Sequence, residues 1–362
     1  MSAPSYHQNP AISVVITCYN YGQYLPTAID SVLKQSRAVD EIVVVDDGST
    51  DNTRHIIKSY GALIRPVFQD NLGAEPAKIN GFRFTRGNYV LFLDADDYLY
   101  PNAIEMTVEH LRKNVAKVQY ELDFIDVKGR RLGRRFCNFP VGYNADYVQH
   151  EFAETGTYRW PVASGNIYSR ELVNRALPVD QPIPLDGLLN TLAPLYGLVI
   201  TITEPLGAYR AHSDSVSQSL DIRTRIRVRK LEFEQLKLHA RQLNVVLPDV
   251  DFLDLELTFV NYRIVARKLR REDGDDSQRS LFSLWRAGVK AAIRNVTGWR
   301  LLVSHLLWLT CLSLAPAPFA RAMILLRASR TQLKSAWYDL SISLKIRRAG
   351  PEHNTDQTRD QR

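Results

Sequence analysis

The sequence predicts an α/β protein, a mostly parallel sheet flanked by helices over residues 11–220, followed by a basic helical extension over residues 221–348. Three observations carry this. Short β-branched apolar runs alternate with segments of helical periodicity, and each connection is long enough for a crossover. Three of the apolar runs end abruptly in polar clusters: Thr17–Cys18–Tyr19–Asn20, Asp46–Asp47–Gly48–Ser49 and Asp94–Ala95–Asp96–Asp97. Beyond Leu220 the alternation stops, and the chain becomes helical and basic.

The elements follow in order. "ISVVITCYN" (Ile12–Asn20) has the composition of a strand buried on both faces. In "LPTAIDSVLKQS", Pro26 suits a helix start, and Ala28, Ile29, Val32 and Leu33 fall at helical spacing. "DEIVVVDDGSTD" reads as a second buried strand, and "NTRHIIKSYG" as a helix closed by Gly61. "IRPVF" is a third strand, "AEPAKINGFRFTRG" a third helix and "YVLFLDADD" a fourth strand. "VQYELDFIDVKGRRLGRRF" predicts two strands joined by a turn at Lys128–Gly129, and Val199–Thr203 a further strand. No internal repeat is present.

Charge is unevenly distributed. Residues 221–362 hold 26 Lys and Arg against 15 Asp and Glu, while residues 1–220 hold 20 against 24. A mildly acidic body with a basic tail points to an anionic surface as a partner of the tail. The three cysteines, Cys18, Cys137 and Cys311, are far apart, which argues against a disulfide framework and fits a reducing compartment. The polar start "MSAPSYHQNP" predicts no signal peptide and a disordered segment over residues 1–10. Residues 349–362 have the composition of a disordered tail.

In open α/β sheets, ligands bind beyond the carboxyl ends of the strands, so the three polar clusters should converge on one site. "NYVLFLDADDYLYP" poses the sharpest chemical problem: a strand apolar enough for the core ends in three carboxylates within four residues. Like charges this close repel, and each loses hydration beside an apolar core. A divalent cation at the strand end would resolve the conflict.

Four segments, "VVITCYNYGQYLPTAIDSVLKQS", "DEIVVVDDGSTDNT", "RGNYVLFLDADDYLYP" and "EPLGAYRAHSDSVS", in this order, resemble the family 2 glycosyltransferases, which have the GT-A nucleotide-sugar fold. The resemblance covers roughly Ile12 to Ser217. It implies an inverting transfer of a sugar from a nucleoside diphosphate donor, with uridine the first guess, to a hydroxyl of a glycan or lipid-linked acceptor. It also implies Mn2+ or Mg2+, hard cations held by carboxylates together with substrate phosphates.

The resemblance carries residue roles with it. Asp96 is the main metal ligand, Asp94 contacts the metal or the ribose, and Asp97 holds the turn. Tyr19 stacks on the base beside Thr17, and Asp47 accepts a hydrogen from the pyrimidine, with Asp46 its structural partner. Lys78 falls where relatives carry an arginine facing the nucleotide; lysine keeps the charge and loses the bidentate fork. Asp186, in "IPLDGLLNTLAPLYG", matches the general base; the competing expectation is an N-cap for a helix starting at Gly187. Arg210 and His212 match a motif that closes near the diphosphate, and "VASGN" (Val162–Asn166) resembles an acceptor-side loop. Two positions depart from the pattern: Ile79 replaces the usual asparagine, and Leu185 the usual acid.

Other classes are disfavoured. "TCYNYGQYLP" lacks the glycine-rich basic loop of a nucleotidyltransferase, and no GxGxxG follows the first strand as a dinucleotide dehydrogenase requires. Asp96 and Asp186 argue against the remaining alternative, a non-catalytic nucleotide-sugar binding module. In the extension, "LLVSHLLWLTCLSLAPAPFA" (residues 301–320) contains no Asp, Glu, Lys or Arg. Its polar residues and prolines suit a helix lying in a membrane interface, or one packed on the protein, better than a span. The cationic stretch Arg223, Arg225, Arg227, Arg229 and Lys230 carries no nucleic-acid recognition motif. The predicted location is the cytoplasm, peripheral to the inner face of the cell membrane.

Overall fold

A computed structural model describes residues 10–177, 183–211, 222–268, 279–296, 298–320 and 322–324. The expectations for residues 1–9, His212 and the tail after residue 324 lie outside the described residues. Contacts divide the chain into two units, Met1–Leu253 and Asp254–Arg362.

The first unit opens with β1 (Ile12–Cys18), α1 (Leu25–Leu33), β2 (Glu41–Asp47), α2 (Thr53–Ser59), β3 (Arg65–Gln69), α3 (Ala74–Arg83) and β4 (Tyr89–Asp94). Each of these seven matches an element expected from periodicity. The next elements are β5 (Tyr98–Leu99), α4 (Ala103–Val108), β6 (Val115–Ile125), β7 (Arg131–Arg135) and α5 (Ala145–Thr155). After them come β8 (Asn166–Ser169), α6 (Arg170–Ala176), α7 (Leu185–Tyr196), β9 (Leu198–Arg210) and α8 (Ile222–Gln242).

The strands form one sheet in the order β3-β2-β1-β4-β8-β6-β9-β5, with β7 paired to β6. β3, β2, β1 and β4 are parallel, as are β6 and β9. β8 runs antiparallel to both β4 and β6, and β5 runs antiparallel to β9. The sheet is therefore mixed, where the sequence predicted a mostly parallel one. The antiparallel neighbours are β8, which pairs with β4 and β6, and β5, which pairs with β9.

Helices cover both faces because the central strands are apolar on both. Val14 and Ile16 of β1 join Leu25 and Ile29 of α1 in the core cluster on one side. On the other, α3 presses so closely that a Cβ at Gly81 would sit 2.5 Å from Val15 Cγ1 and 2.9 Å from Val45 Cγ2. Only glycine allows that approach.

The sequence placed a domain boundary after residue 220, but the first unit runs on to Leu253 and includes α8. The reason is Arg229. Its guanidinium is 3% exposed and donates to Glu232 (2.5 Å), Thr191 (2.7 Å) on α7 and Thr157 (3.1 Å). It also lies over the rings of Trp160 and Phe233. One member of the basic stretch is thus a buried structural residue.

The second unit contains α9 (Leu257–Lys268), α10 (Leu281–Asn295) and α11 (Trp299–Leu314). Asp254 accepts from Arg263 (2.8 Å) and from both terminal nitrogens of Arg279 (2.7 and 2.8 Å). Among the described residues no helix is long and apolar enough to cross a membrane.

Arg229→Ala should destabilise the first unit by about 3 kcal/mol, because it strips the buried Glu232 carboxylate of its cation. Chemical denaturation measures this, and an unchanged midpoint would remove Arg229 as the tie between α7 and α8.

Candidate active site

Strand register builds the site. Thr17 pairs with Asp94, Cys18 with Asp46, and Asp47 with Gln69, so four parallel strands end on one line. All three polar clusters of the sequence meet there, and the loops that follow are tied to one another. Asn20 takes a left-handed conformation (φ 56°), its N–H donates to Ser49 Oγ (2.9 Å), and its Oδ1 accepts from Thr50 N–H (2.7 Å). Asp51 accepts from the N–H groups of Gly22 and Thr53 (both 3.0 Å). These bonds fix the chain that follows Tyr19, whose ring stays 43% exposed at the sheet edge. Its neighbour Cys18 turns inward, and burial pushes its thiol up to about 11.

The paired acids of β2 divide their duties. Asp47 is committed to the β3–α3 connection: Oδ1 accepts from Gln69 Nε2 (2.8 Å) and Leu72 N–H (2.9 Å), and Oδ2 from Gly73 N–H (2.9 Å). Asp46 accepts from Ser49 N–H through Oδ1 (2.9 Å), whereas its Oδ2 is buried without a hydrogen-bond partner, with Arg54 Nε 3.8 Å away. A buried carboxylate oxygen in that state is costly and waits for a donor.

The Asp94–Asp97 turn is held from behind. Asp97 N–H donates to Asp94 O (3.0 Å), and the buried Asp97 carboxylate accepts from Ser164 Oγ (2.6 Å) and Arg210 N–H (2.9 Å). Asp94 N–H in turn donates to Ser164 Oγ (3.2 Å). Arg210 is 5% exposed and lies over the Tyr24 ring at 4.6 Å. Its donors go to the backbone carbonyls of Asp96 (2.8 Å), Asp126 (3.0 Å) and Val127 (3.1 Å). Asp97 therefore holds the turn as the sequence predicted. Arg210, expected at the diphosphate, is engaged with the backbone of the turn and of the β6–β7 hairpin. That hairpin turns at Lys128–Gly129 as expected, with Asp126 gripping Arg130.

The front of the turn gathers charge. Burial raises the Asp94 carboxyl to about 6; the carboxylates of Asp96, Asp186 and Glu75 push the same way, and Lys78 opposes them. Lys78 is 6% exposed, with Nζ 3.5 Å from Glu75 Oε1. Burial disfavours its charge, but Glu75, Asp94 and Asp186 outweigh that and hold the ammonium above its ordinary range. Three carboxylates thus act on the buried Lys78, and a fourth, Asp96, acts on Asp94. Asp186 lies in the first turn of α7, which starts at Leu185; Pro184 precedes the helix, so Asp186 is not its N-cap. Behind it, Asn190 Oδ1 accepts from Lys117 Nζ (2.6 Å) and Tyr168 OH (3.1 Å).

The structure therefore brings together Thr17, Asp47, Lys78, Asp94, Asp96 and Asp186, with Tyr19 on the rim. Two residues were missed. Glu75 Oε2 accepts from Leu185 N–H (2.6 Å) while its other oxygen faces Lys78, so one side chain joins α3 to the start of α7. Its spacing of three from Lys78 on a helix was the available signal. Ser164, inside the segment expected to face the acceptor, is buried and braces Asp94 and Asp97. Nothing in its local sequence marks that role.

Comparison with known proteins bears on the family and the fold. The model of "Glycosyl transferase family 2" matches residues 13–175. The chain is 35% identical over 209 residues to an uncharacterized glycosyltransferase of Nostoc sp., covering 56% of this chain and 65% of that one. It is 30% identical over 171 residues to the chondroitin synthase of Escherichia coli, covering 46% of this chain and 21% of that one. The chain thus spans just under two thirds of the first relative and about a fifth of the second. Among solved structures, S. aureus TarS 1–349 in complex with UDP-GlcNAc superposes with a TM-score of 0.54 at 17% identity, covering 78% of this chain and 83% of that one. With the strand order and the acidic turn in place, residues 13–175 are similar to glycosyl transferase family 2, and the chain has the GT-A fold that TarS shows.

Proposed function

We propose that this chain transfers a sugar from a nucleoside diphosphate donor, uridine-linked, to a hydroxyl of a glycan or lipid-linked acceptor, with inversion at the anomeric carbon. The observation that carries the reading is the electrostatic coupling at the strand ends, where Glu75, Asp94 and Asp186 act on the buried Lys78 and Asp96 acts on Asp94. A solved neighbour of the same fold was crystallised with UDP-GlcNAc and with UDP, which supports uridine. A chondroitin synthase among the relatives supports a glycan acceptor.

The residues present fit Mn2+ or Mg2+. The donors are hard carboxylate oxygens on one turn at the end of β4, where burial and the neighbouring carboxylates already disfavour the charge of Asp94. Such ions are commonly held by one or two carboxylates plus substrate phosphates. Asp96 and Asp94 would hold the ion. When bound, it neutralises the diphosphate and stabilises it as a leaving group.

The chain's own residues supply the rest. Tyr19 presents an exposed ring for stacking on the base, and Thr17 lies beside it at the end of β1. By resemblance Asp47 is the acid set against the base; its oxygens also hold the Gln69–Gly73 segment, and the buried Asp46 beside it faces Arg54. Lys78 keeps a fixed positive charge against the donor. Arg210 and Ser164 hold the Asp94–Asp97 turn rigid, so we assign Arg210 to the turn and leave the diphosphate contact to Lys78 and, by resemblance, His212. Asp186 accepts the proton of the acceptor hydroxyl as that oxygen bonds to the anomeric carbon. The anomeric carbon–oxygen bond to the diphosphate breaks in the same step, and its electron pair leaves with the nucleoside diphosphate. The reading places the protein at the inner face of the cell membrane, where a lipid-linked acceptor would be met.

Two measurements test it. In a screen of nucleotide sugars with Mn2+, one donor should release nucleoside diphosphate, and Asp96→Ala should lower that release by at least about a hundredfold. Release from no donor, or undiminished release by the variant, would remove the assignment. Asp186→Asn should keep donor affinity within about twofold and lower kcat by roughly 100-fold or more. Turnover equal to that of the unmodified protein would exclude Asp186 as the base.

A further inference from the structure

The second unit carries a surface that the transfer reaction does not use. On α11, Leu309 and Leu312 are buried, Thr310 accepts from Trp285 Nε1 (3.0 Å), and Trp308 Nε1 donates to Asn261 (3.1 Å). Gly288 of α10 lies against Leu309, where an added Cβ would meet its side chain at 3.0 Å. This packing fixes which side of α11 faces α9 and α10. The side left outward holds Trp299, Val303, Leu307 and Leu314, which are 71%, 44%, 61% and 79% exposed and recur at helical spacing. On α10 the outward stripe reads Phe282, Arg286, Lys290 and Ile293.

Charge identifies what this surface fits. From residue 279 to residue 320 the cations are Arg279, Arg286, Lys290, Arg294 and Arg300, and there is no Asp or Glu at all. Arg279 is engaged by Asp254, whereas Arg286, Lys290 and Arg300 are exposed. A second copy would set cation against cation. A bilayer with anionic headgroups takes the apolar stripe and the positive charge together. The geometry is that of a helix lying in the interface: 16 residues of α11 extend about 24 Å, short of a hydrocarbon core of about 30 Å.

We propose that the outward face of α11, centred on Val303 and Leu307, docks onto an anionic lipid surface, with Arg286, Lys290 and Arg300 supplying the electrostatic attraction. The proposal is independent of the transfer chemistry. It also goes beyond membrane proximity by naming the residues that enter the interface.

The test uses the full chain. Flotation with phosphatidylcholine vesicles containing phosphatidylglycerol is compared with flotation on pure phosphatidylcholine, and size-exclusion with light scattering is run in parallel. The unmodified protein should float with the anionic vesicles, and added NaCl should release it. Val303→Glu with Leu307→Glu should lower the partition coefficient at least about tenfold. Arg286→Glu or Lys290→Glu should each lower it about fivefold. Because all four positions are exposed, thermal midpoints should stay unchanged. Equal flotation of the double variant, or equal binding to neutral vesicles, would overturn the proposal. So would a dimer that the double variant dissolves without any vesicle binding. A fall in thermal midpoint with flotation unchanged would show the stripe to be covered by the chain itself, and would overturn it too.

Discussion

Everything at the candidate site depends on an imbalance of charge at the ends of the parallel strands. Lys78, buried on α3, is coupled to the carboxylates of Glu75, Asp94 and Asp186, and burial, with Asp96, Asp186 and Glu75 pushing the same way, lifts Asp94 to about 6. Burial raises the energy of every uncompensated charge, so this cluster is stable only with a further positive charge or with protons. A protein gains nothing in stability from such a cluster. Its presence fits the proposal that the strand ends hold an ion and the anionic ligand the ion brings.

The surroundings are built to keep that imbalance in place. Asp97, Ser164 and the guanidinium of Arg210 bind the acidic turn from the core side, so its backbone cannot relax away from the charge it carries. Glu75 does the same for α7 by accepting the Leu185 N–H, which sets the register of Asp186 against the turn. Lys117, buried and held well below its usual basicity by burial, closes the network beneath through Asn190. A rigid polar framework surrounds a strained anionic centre, and that division is what preorganised electrostatics requires.

Much of this was legible in the sequence, and what was legible shares a physical cause. The first seven elements announce themselves because β1, β2 and β4 are buried on both faces and read as continuous apolar runs, with helical spacing between them. Asp94 and Asp96 stood out as charges at the end of an apolar strand, whereas Asp186 came from the resemblance. Tertiary contacts decided the rest. β8 is too short to show a period, and its antiparallel pairing with β4 and β6 turns the predicted parallel sheet into a mixed one. The boundary after residue 220 moved because Arg229, which reads as one more surface cation, is buried between Glu232 and the aromatic rings. Arg210 likewise looked like a phosphate ligand until its carbonyl partners appeared, and Ser164 carries no local mark of the bond it makes to Asp97.

The central claim is that the acidic strand ends bind an anionic nucleotide only through a divalent cation. Isothermal titration of UDP into the full chain, in Mn2+ and again in EDTA, tests it most directly. The account predicts binding at least about tenfold tighter with the metal, since four carboxylates otherwise repel the diphosphate. Equal affinity in EDTA would contradict it.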